Sequence, residues 1–137
     1  MSARTKARKR ALDMLYSADM RQVPVEQVLA TEAERAASEP ERQGSWLYAR
    51  EIIDGIVDHR VEIDELIETH ARGWTLERMP AVDRALLRIG VWEIVHNDEV
   101  PDAVAISEAV EAATVLSTDD SAGFVNGLLA AVSHAKG

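Results

Sequence analysis

The segment that follows Pro80 is apolar on nearly its whole circumference when it is drawn as a helix. Its apolar residues are Val82, Ala85, Leu86, Leu87, Ile89, Val91, Trp92, Ile94 and Val95. A helix that is hydrophobic all round is stable in water only when other elements cover it. Asn97, Asp98 and Pro101 then break the helical pattern. The sequence therefore predicts a central helix that ends near His96, with the remaining elements packed around it.

The rest of the chain also repeats apolar residues at helical spacing. Helices are predicted at about 4–20, 25–37, 44–60 and 61–72, followed by the central helix and two more. The predicted buried stripes are Ala11, Leu12, Leu15, Tyr16 and Met20 in the first helix, Val104, Ile106, Ala109, Val110, Ala113 and Leu116 in the sixth, and Phe124, Val125, Leu128, Leu129 and Val132 in the last. Alternation of β-branched and polar residues is missing from every useful stretch. The fold class is therefore all-α, with about seven helices.

The length of 137 residues suits a single domain with one core. A break runs from the Arg72-Gly73 pair to Pro80, where a stop signal precedes the start of the central helix. We therefore expect two helical subdomains, at about 1–73 and about 74–137, within that domain.

The residue content argues against several classes of function. The chain has no cysteine, which excludes disulfides, cysteine-based zinc sites and thiol catalysis. The four histidines, His59, His70, His96 and His134, are too far apart in sequence for a helical metal site and are expected at surfaces or helix ends. Gly-rich phosphate loops and the G-x-S-x-G motif are missing. The chain is therefore expected not to be an enzyme and to need no metal or cofactor. With neither an apolar run of bilayer length nor a signal peptide, it is expected to be cytoplasmic, with no membrane partner.

Charge is distributed unevenly along the chain. The net charge is −9, yet residues 1–10 contain five cations and no acid, so the other 127 residues carry −14. The cations, called the basic arm below, are Arg4, Lys6, Arg8, Lys9 and Arg10. The arm suits phosphate groups, while the acidic remainder suits a basic partner. A solubilising terminus is the alternative interpretation of the arm.

Three segments, in order and spacing, resemble the NusB family of transcription antitermination factors. The first is the basic arm leading into Arg10-Ala11-Leu12-Asp13-Met14-Leu15-Tyr16. The second runs from Val82-Asp83-Arg84-Ala85-Leu86-Leu87-Arg88-Ile89, with Trp92-Glu93-Ile94, to Val104-Ala105-Ile106-Ser107-Glu108-Ala109-Val110-Glu111. The third is Ser117-Thr118-Asp119-Asp120-Ser121 followed by Phe124-Val125-Asn126-Gly127-Leu128-Leu129. Together they span essentially the whole chain.

The resemblance implies a binding protein rather than an enzyme. Family members bind the boxA element of RNA together with NusE, a small-subunit ribosomal protein, in the transcription elongation complex. On this basis the RNA-binding residues are the basic arm, Tyr16, Arg88, Asp120, Ser121, Phe124 and Asn126, and the NusE-facing residues are Glu77 and Asp83. Asp120 or Ser121 is expected to cap the last helix. Tyr16 and Phe124 fit either core packing or RNA contact, and Gly123 stands where many relatives carry lysine.

Two alternatives stay open. The first is a helical, homodimeric adaptor for other proteins that lacks specific RNA binding. The second is the accessory domain of an RNA cytosine methyltransferase, which would require a Rossmann-type catalytic part that is not found before Gly137.

Overall fold

The computed structural model describes residues 2–136, apart from the side chain of Arg42, and over this range it contains seven α-helices and no strand. The helices are α1 (Ala3–Arg21), α2 (Val25–Ala37), α3 (Gln43–Asp58), α4 (Arg60–His70), α5 (Ala81–His96), α6 (Asp102–Leu116) and α7 (Asp119–Ala135). Single 3-10 turns at Pro40–Arg42 and Leu76–Arg78 precede α3 and α5. The predicted all-α class with about seven helices is confirmed. Among the residues described, none of the helices combines the length and the apolar character needed to cross a bilayer.

Local chemistry explains where several helices begin. The Ser2 hydroxyl accepts a hydrogen bond from the backbone N–H of Thr5 at 3.0 Å and so caps α1. The helices α2, α5 and α6 each follow a proline, at Pro24, Pro80 and Pro101. Proline lacks the N–H that a preceding helix would need, so it separates one helix from the next.

The helices form two compact units, which are described separately. The N-terminal unit holds α1 to α3 and ends at Asp58, and the C-terminal unit begins at His59 and holds α4 to α7. This division falls earlier than the predicted boundary near residue 73, because α4 packs against α5 and α7. The turn at Arg72-Gly73, with φ values of 53° and 95°, reverses the chain inside the C-terminal unit instead of separating two units.

In the N-terminal unit, α1, α2 and α3 pack against one another. The buried face of α1 is Ala7, Arg8, Ala11, Leu12, Met14, Leu15 and Ala18. Tyr16 and Met20, which were expected in the buried stripe, are exposed. Met20 lies two residues past Ala18, which turns it about 200° around the helix and away from the core.

In the C-terminal unit, α5 contacts α4, α6 and α7. All ten residues from Ala85 to Ile94 are buried, which confirms the predicted central helix. The helices α5 and α7 approach each other closely at Gly90, where an added Cβ would lie 2.7 Å from Leu129 Cδ1. A larger residue at Gly90 would therefore require the Leu129 side chain to shift.

The buried face of α6 agrees with the predicted stripe at Ala109 and Ala113 but differs elsewhere. It consists of Ala105, Ala109 and Ala113, while Val104 and Leu116 are exposed. An i, i+4 stripe of alanines allows close packing on α5 and α7, and the larger apolar residues flank it.

A polar cluster joins the start of α6 to the end of α7. The Lys136 ammonium donates to Asp102 Oδ1 at 2.8 Å and to the carbonyl of Ile94 at 2.6 Å, and the Ser133 hydroxyl donates to Asp102 Oδ2. Burial acts to raise the pKa of Asp102, but the hydrogen bonds from Lys136 and Ser133 and the charge of Lys136 outweigh it, so the pKa lies below 3.8.

We expect Gly90→Val to lower the free energy of unfolding by about 1–3 kcal/mol, because the added atoms would force the fully buried Leu129 side chain out of its present packing. The matched change is Gly127→Ala, on an exposed stretch of α7 where an added Cβ would meet nothing within 4 Å. It should raise the free energy of unfolding by up to about 1 kcal/mol, since alanine favours helix over glycine. Urea unfolding measures both. Equal stability of Gly90→Val and the unchanged protein would contradict the close approach.

We expect Asp102→Asn to destabilise the protein at neutral pH only. Because the folded-state pKa of Asp102 lies below its unfolded value of 3.8, the carboxylate contributes fully above that pH. The contribution is lost as the pH falls through the lowered folded-state pKa. The difference in unfolding free energy, at most about 1 kcal/mol for a part-exposed pair, should vanish in urea unfolding series taken to acidic pH. Asp98→Asn, at an exposed residue, is the control and should leave the free energy of unfolding at neutral pH nearly unchanged.

Candidate nucleic-acid interface

The basic arm forms the first turns of α1, and its five cations divide between two faces. Lys6, Lys9 and Arg10 have i, i+3 and i+4 spacing and therefore share one face. Lys6 and Lys9 are exposed and Arg10 is partly so. Lys9 Nζ lies 2.7 Å from Asp13 Oδ1, in an ion pair whose side chains are both at least half exposed. This face presents positive charge to solvent.

The other two cations of the arm lie against an aromatic ring. The guanidinium carbons of Arg4 and Arg8 lie 4.8 and 5.8 Å from the centre of the Tyr48 ring. Arg8 is buried, and Tyr48 is a core residue of α3. The positive charges face the negative π surface of the ring, which stabilises the packing of α1 on α3. Arg8 was predicted to contact phosphate, but its side chain is largely enclosed by the protein.

A groove of about 600 Å³ lies beside the exposed face of the arm, within the N-terminal unit. The residues that line it are Arg10, Asp13, Met14, Ser17, Arg21, Val28, Thr31, Glu32, Arg35 and Trp46. Three arginines outnumber the two acids, and Arg35 already pairs with Glu32 at 3.2 Å.

Tyr16 is 42% exposed on α1, so the interpretation of this residue as simple core packing is wrong.

The start of α7 differs in detail from the prediction. Thr118 is the N-cap, and its hydroxyl accepts from the backbone N–H of Ser121 at 3.2 Å. Asp120 and Ser121 therefore lie inside the first turn, which corrects their expected capping role. Asp119 and Asp120 stabilise the positive end of the helix dipole. Two carboxylates at this position also oppose a phosphate group there.

Asp83 is a structural residue rather than a surface charge. It is only 2% exposed, and its two carboxyl oxygens accept hydrogen bonds from the hydroxyls of Ser117 and Ser121, at 2.9 and 2.7 Å. The expectation of an exposed, partner-facing carboxylate at Asp83 is wrong, because α5 is covered by α7 at this point. Glu77, in the Leu76–Arg78 turn, is exposed and stays a predicted partner contact.

Arg88 is likewise enclosed. Only 6% of the residue is exposed, and its Nε and Nη2 donate to the two carboxylate oxygens of Asp64 at 2.9 and 3.3 Å. This bidentate ion pair connects α4 to α5 and stabilises their packing. An exposed arginine that faces RNA was expected at this position, and the structure corrects that expectation. A charge on a helix that is buried on all sides needs a partner within the protein.

Phe124 is half-buried near the start of α7 and contacts an aromatic residue that sequence reasoning missed. The ring centres of Phe124 and Trp74 lie 5.4 Å apart, with the ring planes tilted by 42°. Trp74 is 51% exposed. Its position in the turn after α4, outside any helical apolar stripe, was the available signal for a surface role. Asp120 and Asn126 are also exposed on α7, and a Cβ added at Gly123 would meet nothing within 4 Å.

The predicted residues therefore fall into separate groups. In the N-terminal unit, the exposed arm face and Tyr16 occupy α1. In the C-terminal unit, Phe124 meets Trp74, while Asp83 and Arg88 are internal.

Comparison with known proteins agrees with the fold and with the order of the motifs. The NusB family model matches residues 5–134. The transcription antitermination protein NusB of Leifsonia xyli subsp. xyli is 74% identical over 136 residues, which cover 99% of this chain and 94% of that protein. A solved structure of T. maritima NusB superposes with a TM-score of 0.84 at 30% identity, covering 96% of this chain and 90% of that one.

A second solved structure contains the antitermination factors NusB and NusE in complex with double-stranded RNA. It matches with a TM-score of 0.84 at 27% identity and covers 98% of both chains. Since the family model and a relative of high identity each span nearly the whole sequence, the chain belongs to the NusB family.

Proposed function

We propose that this protein is a transcription antitermination factor that binds boxA RNA together with the ribosomal protein NusE in the elongation complex during ribosomal RNA transcription. The observation that carries the proposal is the exposed cationic face of α1, formed by Lys6, Lys9 and Arg10, in a chain of net charge −9. Relatives named as NusB antitermination proteins and a solved NusB–NusE–RNA complex support it.

The placement of the cations argues for a ligand. Basic side chains at a helix N-terminus oppose the helix dipole, each at a cost of about a few tenths of a kcal/mol. Arg4 and Arg8 offset this cost through Tyr48, but Lys6 is exposed to solvent. The phosphate groups of a nucleic-acid backbone would stabilise the remaining cations at this position. The groove that Arg10 shares with Arg21 and Arg35 extends the positive surface away from the arm.

The aromatic pair supplies the second part of RNA recognition. Sequence-specific RNA binding commonly stacks unpaired bases on aromatic side chains. Trp74 offers an exposed ring, and its contact with Phe124 restricts that ring to fewer orientations. Bases of a single-stranded RNA would stack on the exposed ring of Trp74.

For the protein partner, the acidic surface is the relevant feature. A ribosomal protein is basic, and complementary charge favours both encounter and register. Glu77 is the exposed candidate for a direct contact. Asp83 would act through the position of α7, since both its oxygens are occupied by serine hydroxyls.

A homodimeric adaptor is the second candidate, favoured by the exposed apolar residues of α6. Val104 and Val115 are exposed and lie about three helical turns apart, so they share one face of α6. Leu116, also exposed, follows Val115 directly. In this case the protein would bind boxA RNA and a scrambled RNA equally, with or without NusE.

The arm is tested by titrating fluorescent single-stranded boxA RNA at several salt concentrations, with and without NusE. We expect Lys6→Ala combined with Arg10→Ala to weaken binding. The slope of the logarithm of the binding constant against the logarithm of the salt concentration, called the salt slope below, should become shallower by about 1.4, since each lost phosphate contact accounts for about 0.7. Scrambled and double-stranded RNAs serve as competitors.

Arg50→Ala is the matched control, because Arg50 is an exposed arginine on α3 that pairs only loosely with Asp54, at 3.7 Å. It should leave the slope unchanged. An unaltered slope in the double variant would remove the arm from the RNA site, and equal binding of boxA and scrambled RNA would favour the adaptor.

The aromatic pair is tested by Trp74→Ala in the same titration. We expect RNA affinity to fall by about 1–3 kcal/mol, the usual value of one base stack, with no change of the salt slope. Val115→Ala removes an exposed apolar side chain elsewhere in the C-terminal unit and should leave affinity as it was. Unchanged affinity of Trp74→Ala would show that bases do not stack there.

A further inference from the structure

Two histidines that are far apart in the sequence lie face to face in the C-terminal unit. His59 immediately precedes α4, and His96 is the last residue of α5. Their ring centres are 3.7 Å apart and the planes differ by 13°. Four separate histidines were expected, because spacing along single helices shows no pair. The packing of α4 on α5 brings these two together.

A carboxylate completes the cluster. Glu62 lies in the first turn of α4, three residues after His59, and its Oε1 contacts His96 Nε2. One potential ligand atom from each of the three residues lies within 4.8 Å of the other two. His59 is exposed, Glu62 is half exposed, and the His96 side chain is 21% exposed. The cluster is thus open to ions from solvent on one side and held by α5 on the other.

We propose that His59, Glu62 and His96 form a binding site for a divalent transition-metal ion of the zinc type. Two imidazole nitrogens and one carboxylate oxygen are ligands that Zn²⁺ accepts, and water would complete a tetrahedral shell. Mg²⁺ and Ca²⁺ prefer sites made of oxygen atoms alone, so a single carboxylate beside two imidazoles selects against them.

The geometry requires only local adjustment for binding. Ligand distances of about 2.0–2.2 Å to zinc place any two donor atoms at most about 4.4 Å apart, and the three potential ligand atoms all lie within 4.8 Å of one another. The lone pairs of two parallel rings do not converge, so one ring must turn. His59 is exposed and precedes α4, so its ring has room to turn, whereas the His96 side chain at the end of α5 is only 21% exposed.

A bound ion would connect the start of α4 with the end of α5. Because an ion that binds only the folded state stabilises it by mass action, zinc is expected to raise the melting temperature of the protein. The proposal is independent of RNA binding, since none of the three residues belongs to the arm or to the aromatic pair.

The experiment uses the full chain without an affinity tag, freed of metal by a chelator. Isothermal titration with ZnCl₂ near pH 7.5 should show one ion per chain, and the melting temperature should rise with zinc but not with MgCl₂. His59→Gln and Glu62→Gln should each weaken zinc binding by more than about tenfold. His59 is exposed, so its variant is expected to keep the fold, and circular dichroism checks this.

His134→Gln is the matched control, because His134 is an exposed histidine at the end of α7 and outside the cluster. It should bind zinc as the unchanged protein does. Absence of stoichiometric binding would overturn the proposal. Equal affinities for His59→Gln and His134→Gln would also overturn it, since zinc would then bind to surface histidines in general.

Discussion

The burial of α5 on every side is the constraint on which the C-terminal unit depends. Because α4, α6 and α7 all pack on this helix, each polar group that it carries must find a partner inside the protein. Arg88 finds Asp64 on α4, and Asp83 finds the two serine hydroxyls at the start of α7. The same polar residues that resemble binding residues in the sequence therefore fix the positions of α4 and α7.

The arm of the N-terminal unit divides its charges by helical geometry. Two arginines pack on the ring of Tyr48 and help to fix α1 on α3, while the cations one face away remain available to solvent. This arrangement lets a net-acidic protein present a local positive surface, since charges more than about 10 Å away are largely screened at physiological salt. Phosphate binding by the arm and attraction of a basic protein by the remainder are thus compatible within one chain.

Sequence reasoning was most reliable where a pattern has one physical solution and least reliable where it has several. The apolar α5 could only be central, and it is. In α1, Ala11, Leu12 and Leu15 are buried as predicted, but Tyr16 and Met20 are exposed although they also fit the helical period. The family resemblance placed Asp83 and Arg88 among the binding residues, and nothing in the local sequence revealed the serine hydroxyls that donate to Asp83 or the Asp64 carboxylate that accepts from Arg88.

The sequence by itself determined the helices, their order, the central place of α5 and the concentration of positive charge at the N-terminus. These properties depend on neighbours within a few turns, so the periodicity of apolar residues and the position of prolines are sufficient to specify them. Tertiary structure alone decided which charges are internal, that Trp74 meets Phe124, and that His59 and Glu62 meet His96 across 34 or more positions. Such contacts are set by how whole helices pack, and one residue of rotation or a few ångströms of displacement changes them without altering any local pattern.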